Sequence, residues 1–429
     1  MTVLGPLAAL RAHAGTRLTT GLDDAAIERL AAAHPDLVAA IAAAASEYAR
    51  IKDEAADLLD LDEKDQIAAM QAGFVNFYAD DAVVPYIALA ACGPWVVSLK
   101  GAVLYDAGGY GMLGFGHTPP EVLAAAAKPQ VMANIMTPSL SQRRFVQALR
   151  KEIGHTRGGC PFSHFMCLNS GSEAVGLAAR IADINAKLQT DPGAPHAGAT
   201  VKRVVIKGSF HGRTDRPALY SDSTRKTYDR FLASYRGEDS VIAIAPYDEA
   251  ALRKVFDDAK AHNWFIEAVF LEPVMGEGDP GRAVPVSFYK LARELTRAHG
   301  SLLLIDSIQA ALRAHGTLSF VDYPGYETLD PPDMETYSKA LNGAQFPLSV
   351  LAVTEHAAHL YRKGVYGNTM TTNPRALDVA CATLARLTPD VRRNIRERGE
   401  QAVRKLEALK AKLGGLITKV QGTGLLFSC

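Results

Sequence analysis

What the sequence lacks narrows it first. Basic and acidic residues cancel, 46 against 46. No Lys/Arg run rises out of that balance, which argues against a nucleic-acid or anionic-membrane surface. The longest apolar stretch, Ala82 to Cys92, is interrupted by Pro85 and is shorter than the ~20 residues a membrane-spanning helix needs. The first twenty residues hold no compact apolar core and no small-residue cleavage site, so no secretory signal is expected. Asp23, Asp24 and Glu28 appear too early for a mitochondrial transit peptide. Five cysteines (Cys92, Cys160, Cys167, Cys381, Cys429) do not make a disulfide framework in a chain this long, and a reducing, cytoplasmic setting is expected. There is no internal repeat and no low-complexity linker. What remains is 429 residues, 48% hydrophobic and 21% charged. That composition excludes wholesale disorder and leaves room for two or three domains.

Residues 1–80 are rich in Ala and Leu and read as helices. Asp23 or Asp24 can cap a helix that ends before Pro35, and Pro35 suits the start of the next. There Leu37, Ile41, Ala44, Tyr48 and Ile51 recur at three- and four-residue steps, an amphipathic stripe that reads as packing. Trp95–Ser98 and Ala102–Tyr105 flank Lys100-Gly101 and predict a hairpin. Further on, short β-rich runs alternate with helical stretches. The runs are Val204–Ile206, Val241–Ile244, Ala268–Leu271, Leu302–Ile305 and Leu348–Val353; the helices are Ala174–Ala186, Glu249–His262 and Ser287–His299. Continuous apolar strands interleaved with helices predict an α/β fold, a mostly parallel sheet covered on both faces. After Asn373-Pro374 one long helical stretch is expected to reach Leu413, followed by a hairpin-like segment from Ile417.

In such sheets ligands bind beyond the carboxyl ends of the strands, and there the polar clusters fall. Asn169-Ser170-Gly171-Ser172-Glu173 follows the strand-like Phe165–Leu168 and opens a helix. Free N–H groups at a helix start, with a Gly and a Ser hydroxyl, suit a phosphate, although an ordinary strand–helix turn reads the same way. The segment has neither a Walker lysine nor a three-glycine dinucleotide spacing. Phe210-His211-Gly212-Arg213 offers an aromatic that could stack on a planar group. Glu272-Pro273-Val274-Met275-Gly276-Glu277-Gly278 puts two carboxylates at one strand mouth. Asp306 ends an apolar strand and needs a cationic partner if buried. Ser338-Lys339 supplies an amine whose pKa burial could lower toward imine formation.

A phosphate cradle, a stacking aromatic, a carboxylate for a ring nitrogen and one Schiff-base lysine are the parts of a pyridoxal phosphate site. Their order, with Asp-x-x-Gln, Ser-Lys-Ala and Gly-x-Thr-x-x-x-Asn-Pro added, resembles the class III (ornithine/GABA-type) aminotransferases from about Gly93 onward. The resemblance implies fold type I and pyridoxal 5′-phosphate as cofactor. It also implies amino transfer between an amino acid or ω-amine and a 2-oxo acid. It makes Lys339 the residue that holds the cofactor and shuttles the proton, and Asp306 the partner of the pyridine nitrogen. Gly171 and Ser172 would take the phosphate, Phe210 and Ile308 the two ring faces, and Gln309 the ring oxygen, with His211 beside them. Thr369 would reach the phosphate of a neighbouring subunit, which implies a homodimer. Tyr110 and Glu277 would face the substrate, Glu277 pairing with a substrate-binding arginine and so favouring glutamate/2-oxoglutarate. The implied division is a helical extension (1–80), a large cofactor domain (136–375), and a small domain built from 81–135 and 376–429.

Departures touch the substrate more than the cofactor. The usual Asp-Glu-Val-Gln run is Asp306-Ser307-Ile308-Gln309, without its second acid. The arginine that follows is shifted to Arg313, and two glycines near the phosphate become Thr371-Thr372. These changes leave room for a racemase or epimerase with the same cofactor. A non-catalytic paralogue is the other alternative, against which Lys339 and Asp306 together argue. In the family the domain of Val420–Leu426 continues for several more elements, including the carboxylate-binding arginine, so this segment is expected to be truncated and short of β partners. His155, Cys160, His164 and Cys167 have zinc-compatible spacing, but strand alternation would turn His164 and Cys167 to different faces, and no metal is expected.

Overall fold

The computed structural model describes residues 3–108, 111–132 and 134–429. The chain forms two units, residues 1–109 with 115–123 and residues 110–114 with 124–429.

In the first unit the Asp23 carboxylate accepts from the Ala26 N–H and starts helix Asp24–Ala31, while Pro35 occupies the first turn of Pro35–Ile51. Of the expected stripe, Leu37, Ile41 and Ala44 are buried; Tyr48 and Ile51 are partly covered. The hairpin is β2 (Trp95–Ser98) and β3 (Val103–Tyr105), joined by β1 (Ala88–Cys92) into an antiparallel sheet of three strands. Leu7, Leu10, Ile27, Leu37 and Ile41 pack on Trp95, Val97 and Val103, so the helices of residues 1–80 and this sheet share one core. Each Leu or Ile buried there stabilises by roughly 1.5–3 kcal/mol.

The second unit is built on seven strands: β4 (His164–Leu168), β5 (Thr200–Ile206), β6 (Val241–Ile244), β7 (Trp264–Leu271), β8 (Leu302–Asp306), β9 (Met334–Tyr337) and β10 (Ser349–Val353). Their spatial order is β4-β10-β9-β8-β7-β5-β6, and only β10 runs against the rest. Successive residues serve opposite faces. Val204, Ile206, Val269, Leu271, Leu303 and Ile305 join one core cluster; Val205, Ala268, Phe270, Leu302 and Leu304 join the other. Both faces are apolar, which is why these strands read as unbroken hydrophobic runs.

Two elements differ from expectation. Strand β9 carries Glu335 and Thr336 at its centre, which hid it among loop residues. The helical stretch after Asn373 is two helices, Pro374–Ala385 and Pro389–Lys412, because Pro389 cannot continue a helix and Thr388 caps a new one. The final segment is not short of partners. It folds as a hairpin, β11 (Gln421–Thr423) with β12 (Leu426–Ser428), whose Gln421 side chain donates to Pro280 O at 2.8 Å and whose Leu426 enters the core. No described helix is long and apolar enough to cross a membrane.

Candidate functional site

The carboxyl ends of β4, β5, β7, β8 and β9 open into one cavity of about 140 Å³. Ser170, Gly171, Ser172, Phe210, His211, Gly212, Glu272, Asp306, Ile308, Gln309, Ser338 and Lys339 line it. Eight of these come directly from the expected site: Gly171, Ser172, Phe210, His211, Asp306, Ile308, Gln309 and Lys339. The cradle is a helix start. Ser170 caps helix Gly171–Thr190 by accepting from Glu173 N–H, and the Glu173 carboxylate returns to Ser170 N at 3.0 Å. That leaves the first N–H groups at Gly171 and Ser172 aimed outward with a positive helix end behind them. Glycine at 171 lets the Ile308 side chain close on the cradle, since a Cβ there would stand 2.8 Å from Ile308 Cδ1, and glycine at 276 leaves room for the Gln309 amide, which a Cβ would meet at 2.3 Å.

Asp306 is buried and well partnered. One oxygen accepts from Thr336 Oγ1 at 2.9 Å and from Ile308 N at 3.2 Å; the other lies 2.9 Å from His211 Nδ1. His211 Nε2 is buried without a hydrogen-bond partner. Glu272 was read from the sequence as one of two carboxylates at a strand mouth but not as a site residue, and the cavity includes it. It accepts from Phe210 N at 3.2 Å and Gly276 N at 3.1 Å. Burial, then the charge of Asp306, pushes its carboxyl well above the usual range. The two acids are adjacent, and a carboxyl beside a second carboxylate resists ionisation.

Lys339 adopts φ +48°, in the left-handed region, immediately after β9. A non-glycine residue there costs about 1–3 kcal/mol, strain of the kind that accumulates at functional positions. Burial lowers its amine from the ordinary lysine value; Asp306, Glu277 and Glu272 oppose that shift and Arg313 adds to it. Among the described residues its amine has no hydrogen-bond partner. Arg313 is pushed down to about 10 by burial. Thr372, where glycine was expected, also stands in the left-handed region at φ +59°. A β-branched residue is an outlier there, which explains why glycine suits the position.

Two expected residues, Glu277 and Thr369, are not among the residues that line this cavity. Glu277 is half-buried and accepts from Ser223 Oγ at 3.0 Å; among the described residues no arginine pairs with it. Its charge nevertheless reaches Lys339. Thr369 is exposed and outside the cavity, one residue after Asn368, whose amide donates to Glu173 Oε1 at 3.0 Å. Tyr110 is outside the described residues.

Comparison with known proteins gives the same direction. The family model described as Aminotransferase class-III matches residues 77–429. An acetylornithine aminotransferase from Xanthomonas axonopodis pv. citri (strain 306) is 30% identical over 332 residues, covering 74% of this chain and 72% of the relative. Among solved structures, the ornithine aminotransferase of Toxoplasma gondii ME49 superposes with a TM-score of 0.71 at 24% identity, over 88% of this chain and 84% of that one. The acetylornithine aminotransferase of Elizabethkingia anophelis gives 0.66 at 24% identity, over 85% and 84%. These two likenesses show the fold.

Proposed function

Because the chain belongs to the class III aminotransferases, which use pyridoxal 5′-phosphate to move an amino group from a donor to a 2-oxo acid, we propose that the cavity at Lys339 is where this happens. The observation that carries the proposal is the meeting of a strained lysine, a buried aspartate and a helix-start cradle in one cavity. The donor set fits the cofactor. Asp306 suits a protonated ring nitrogen, Gly171 and Ser172 suit a phosphate, and Phe210 and Ile308 suit a flat ring. Gln309 reaches the same space, and the orphaned His211 Nε2 stands behind Asp306.

When bound, pyridoxal phosphate supplies a carbonyl carbon that condenses with amines and a ring that accepts electrons. The protein supplies the rest. The Lys339 amine, lowered by burial, attaches the cofactor and afterwards takes the proton from the donor's Cα and returns it nearby. Asp306, held by Thr336, the Ile308 N–H and His211, would take the protonated ring nitrogen. Gly171 and Ser172 donate to the phosphate and fix the ring's position.

Glu277 acts on Lys339 through its charge. With Tyr110 it is assigned to substrate binding, with glutamate/2-oxoglutarate as one partner and an amine-bearing amino acid or ω-amine as the other. Acetylornithine and ornithine in the relatives' names agree with a donor carrying a distal amine. The working unit is a homodimer in the cytoplasm, with Thr369 reaching the partner's phosphate. Supporting this, Val131, Met136, Leu140 and Met370 are exposed around a second, largely apolar cavity lined by Ile135, Phe165, Tyr366 and Thr371, and all five cysteines are free. Residues 136–375 are assigned to the cofactor domain and 376–429 to the small one.

The test is a half-reaction screen that follows the loss of the cofactor's aldehyde-form absorbance against a panel of donors. Fast conversion by ornithine, lysine, GABA or a diamine, reversed by 2-oxoglutarate, is expected. Conversion by alanine with indifference to glutamate would overturn the substrate assignment.

A further inference from the structure

One buried carboxylate has no role in the chemistry above. Glu335 is fully buried at the centre of β9, opposite Ile305 in the register with β8. One oxygen accepts from Ser307 Oγ at 2.6 Å and from Phe320 N at 2.7 Å; the other accepts from Ser319 Oγ at 2.6 Å. All three donors belong to the segment that follows β8, the segment that also carries Asp306, Ile308 and Gln309. Ser307 lies between the residue assigned to the ring nitrogen and the residue assigned to a ring face. Its N–H donates to Thr336 O at 3.1 Å, and Thr336 Oγ1 donates to Asp306. Two neighbours on β9 therefore hold two neighbours on β8.

Ser307 is also the position where the chain departs from its family by lacking an acid. The acid has not vanished from the space: it reaches the same point from the adjacent strand. A carboxylate on 307 and a carboxylate on 335 would have the same donors in reach, because the two side chains touch. We infer that Glu335 is a positioning residue for the cofactor, standing in for the carboxylate missing at 307 and holding the Asp306–Gln309 segment in register with Lys339's strand. This rests on the reading of Asp306 and Lys339 as cofactor residues.

Among the described residues Glu335 has no cation paired with it. The titratable groups that feel its charge, Tyr289, Tyr323, Tyr337 and Cys160, are all pushed up by burial and stay neutral. Burial likewise pushes Glu335 up to about 7. Two serines suit a group that changes protonation, since a hydroxyl accepts as readily as it donates.

The experiment compares Glu335→Val with the relocated pair Ser307→Glu/Glu335→Val. Three quantities are measured: pyridoxal phosphate dissociation constant by absorbance titration, unfolding midpoint, and kcat against KM for the oxo acid. Glu335→Val is expected to bind the cofactor about tenfold more weakly or to fail to fold, since three buried donors lose their acceptor. Where it folds, kcat is expected to fall with KM nearly unchanged. The relocated pair is expected to fold and to bring the dissociation constant back to within about threefold. A single variant that melts early yet binds cofactor as tightly as the native chain would make Glu335 a strut of the turn and overturn the inference. A relocated pair no better than the single variant, or unfolded, would overturn it too. Failure of the site assignment itself is separable: Lys339→Ala would then leave the cofactor band and turnover intact.

Discussion

Each unit holds a lysine just beyond the end of a strand, and the two differ in what surrounds the amine. Lys100 follows the strand Trp95–Ser98 in the first unit, and its ammonium donates to the backbone carbonyls of Ala14 and, at 2.9 Å, of Leu59. Lys339 follows β9 in the second, strained at φ +48° and without a hydrogen-bond partner among the described residues. Burial lowers the amine of both. The surroundings separate them. Around Lys100 the groups are donor and acceptor already paired, so the nitrogen is a fastening between segments far apart in sequence. Lys339 instead faces Asp306, Glu277, Glu272 and Arg313 across a cavity, with its lone pair uncommitted. A lowered pKa alone does not make a nucleophile. An unsatisfied nitrogen facing open space does.

The sharpest way to break this comparison is to remove each nitrogen in turn. Lys339→Ala is expected to lower kcat by about 10⁴-fold or more, since it deletes both the cofactor's attachment and the proton carrier. The chain should remain folded. Steady-state turnover above a trace, or an unchanged cofactor absorption band, would reject the assignment. Lys100→Met should leave turnover per folded site at the native level.

The difference between the lysines was half legible in the sequence. Lys339 stood out because polar clusters follow each apolar strand in turn, and Gly171, Phe210, Asp306 and Lys339 do converge where strand ends must meet. Lys100 read only as half of a turn, because its partners at Ala14 and Leu59 are backbone carbonyls, which leave no mark in residue type. The same blindness hid β9. A strand that carries Glu335 and Thr336 inward loses the apolar run that identifies β7 and β8, so the acid that ties Ser307 went unseen. The partner that Glu277 does have, Ser223 in the short helix Asp222–Thr224, is a serine of a kind found throughout the chain and gave no signal in residue type. The break at Pro389 was readable and was passed over because the helical pattern resumes immediately after it.

Asp306→Asn sharpens the comparison from the side of the charge that faces Lys339. The amide is nearly isosteric and can keep Thr336 or His211 as a partner, but it cannot hold a proton on a ring nitrogen. Cofactor should stay bound while the rate falls about 10²–10³-fold. Near-native rates would mean that Asp306 does not face the ring. A smaller effect is expected from Glu277→Ala. On the proposed role, the carboxylate covers a substrate-binding arginine, and its removal leaves that arginine open to a substrate carboxylate. The ratio of half-reaction rates should therefore move about tenfold toward glutamate and away from ω-amine donors. An unchanged ratio would leave Glu277 as a structural acceptor for Ser223.

The smallest effects are in stability, and their signs distinguish the lysines. Both amines have folded-state pKa values below the unfolded value, so each folded chain resists a proton that the unfolded chain accepts. That penalty is present in full below the folded pKa and fades as pH rises toward about 10.5, where the unfolded lysine also loses its proton. For Lys100 the penalty is outweighed by the two carbonyls it satisfies. Lys100→Met strands both buried acceptors, so the variant should unfold about 1–3 kcal/mol more easily at pH 7. The gap should widen as pH rises, because only the native chain has a charge-burial cost left to shed. For Lys339 the charges of Asp306, Glu277 and Glu272 offset the penalty only in part in the cofactor-free protein. There Lys339→Ala should raise the unfolding midpoint at pH 7, and the gain should shrink as pH approaches 10. Chemical denaturation of both cofactor-free variants at pH 7 and pH 9.5 measures all four quantities. If Lys339→Ala destabilised the cofactor-free chain as Lys100→Met does, the two lysines would be the same kind of fastening, and the contrast drawn between them would be lost.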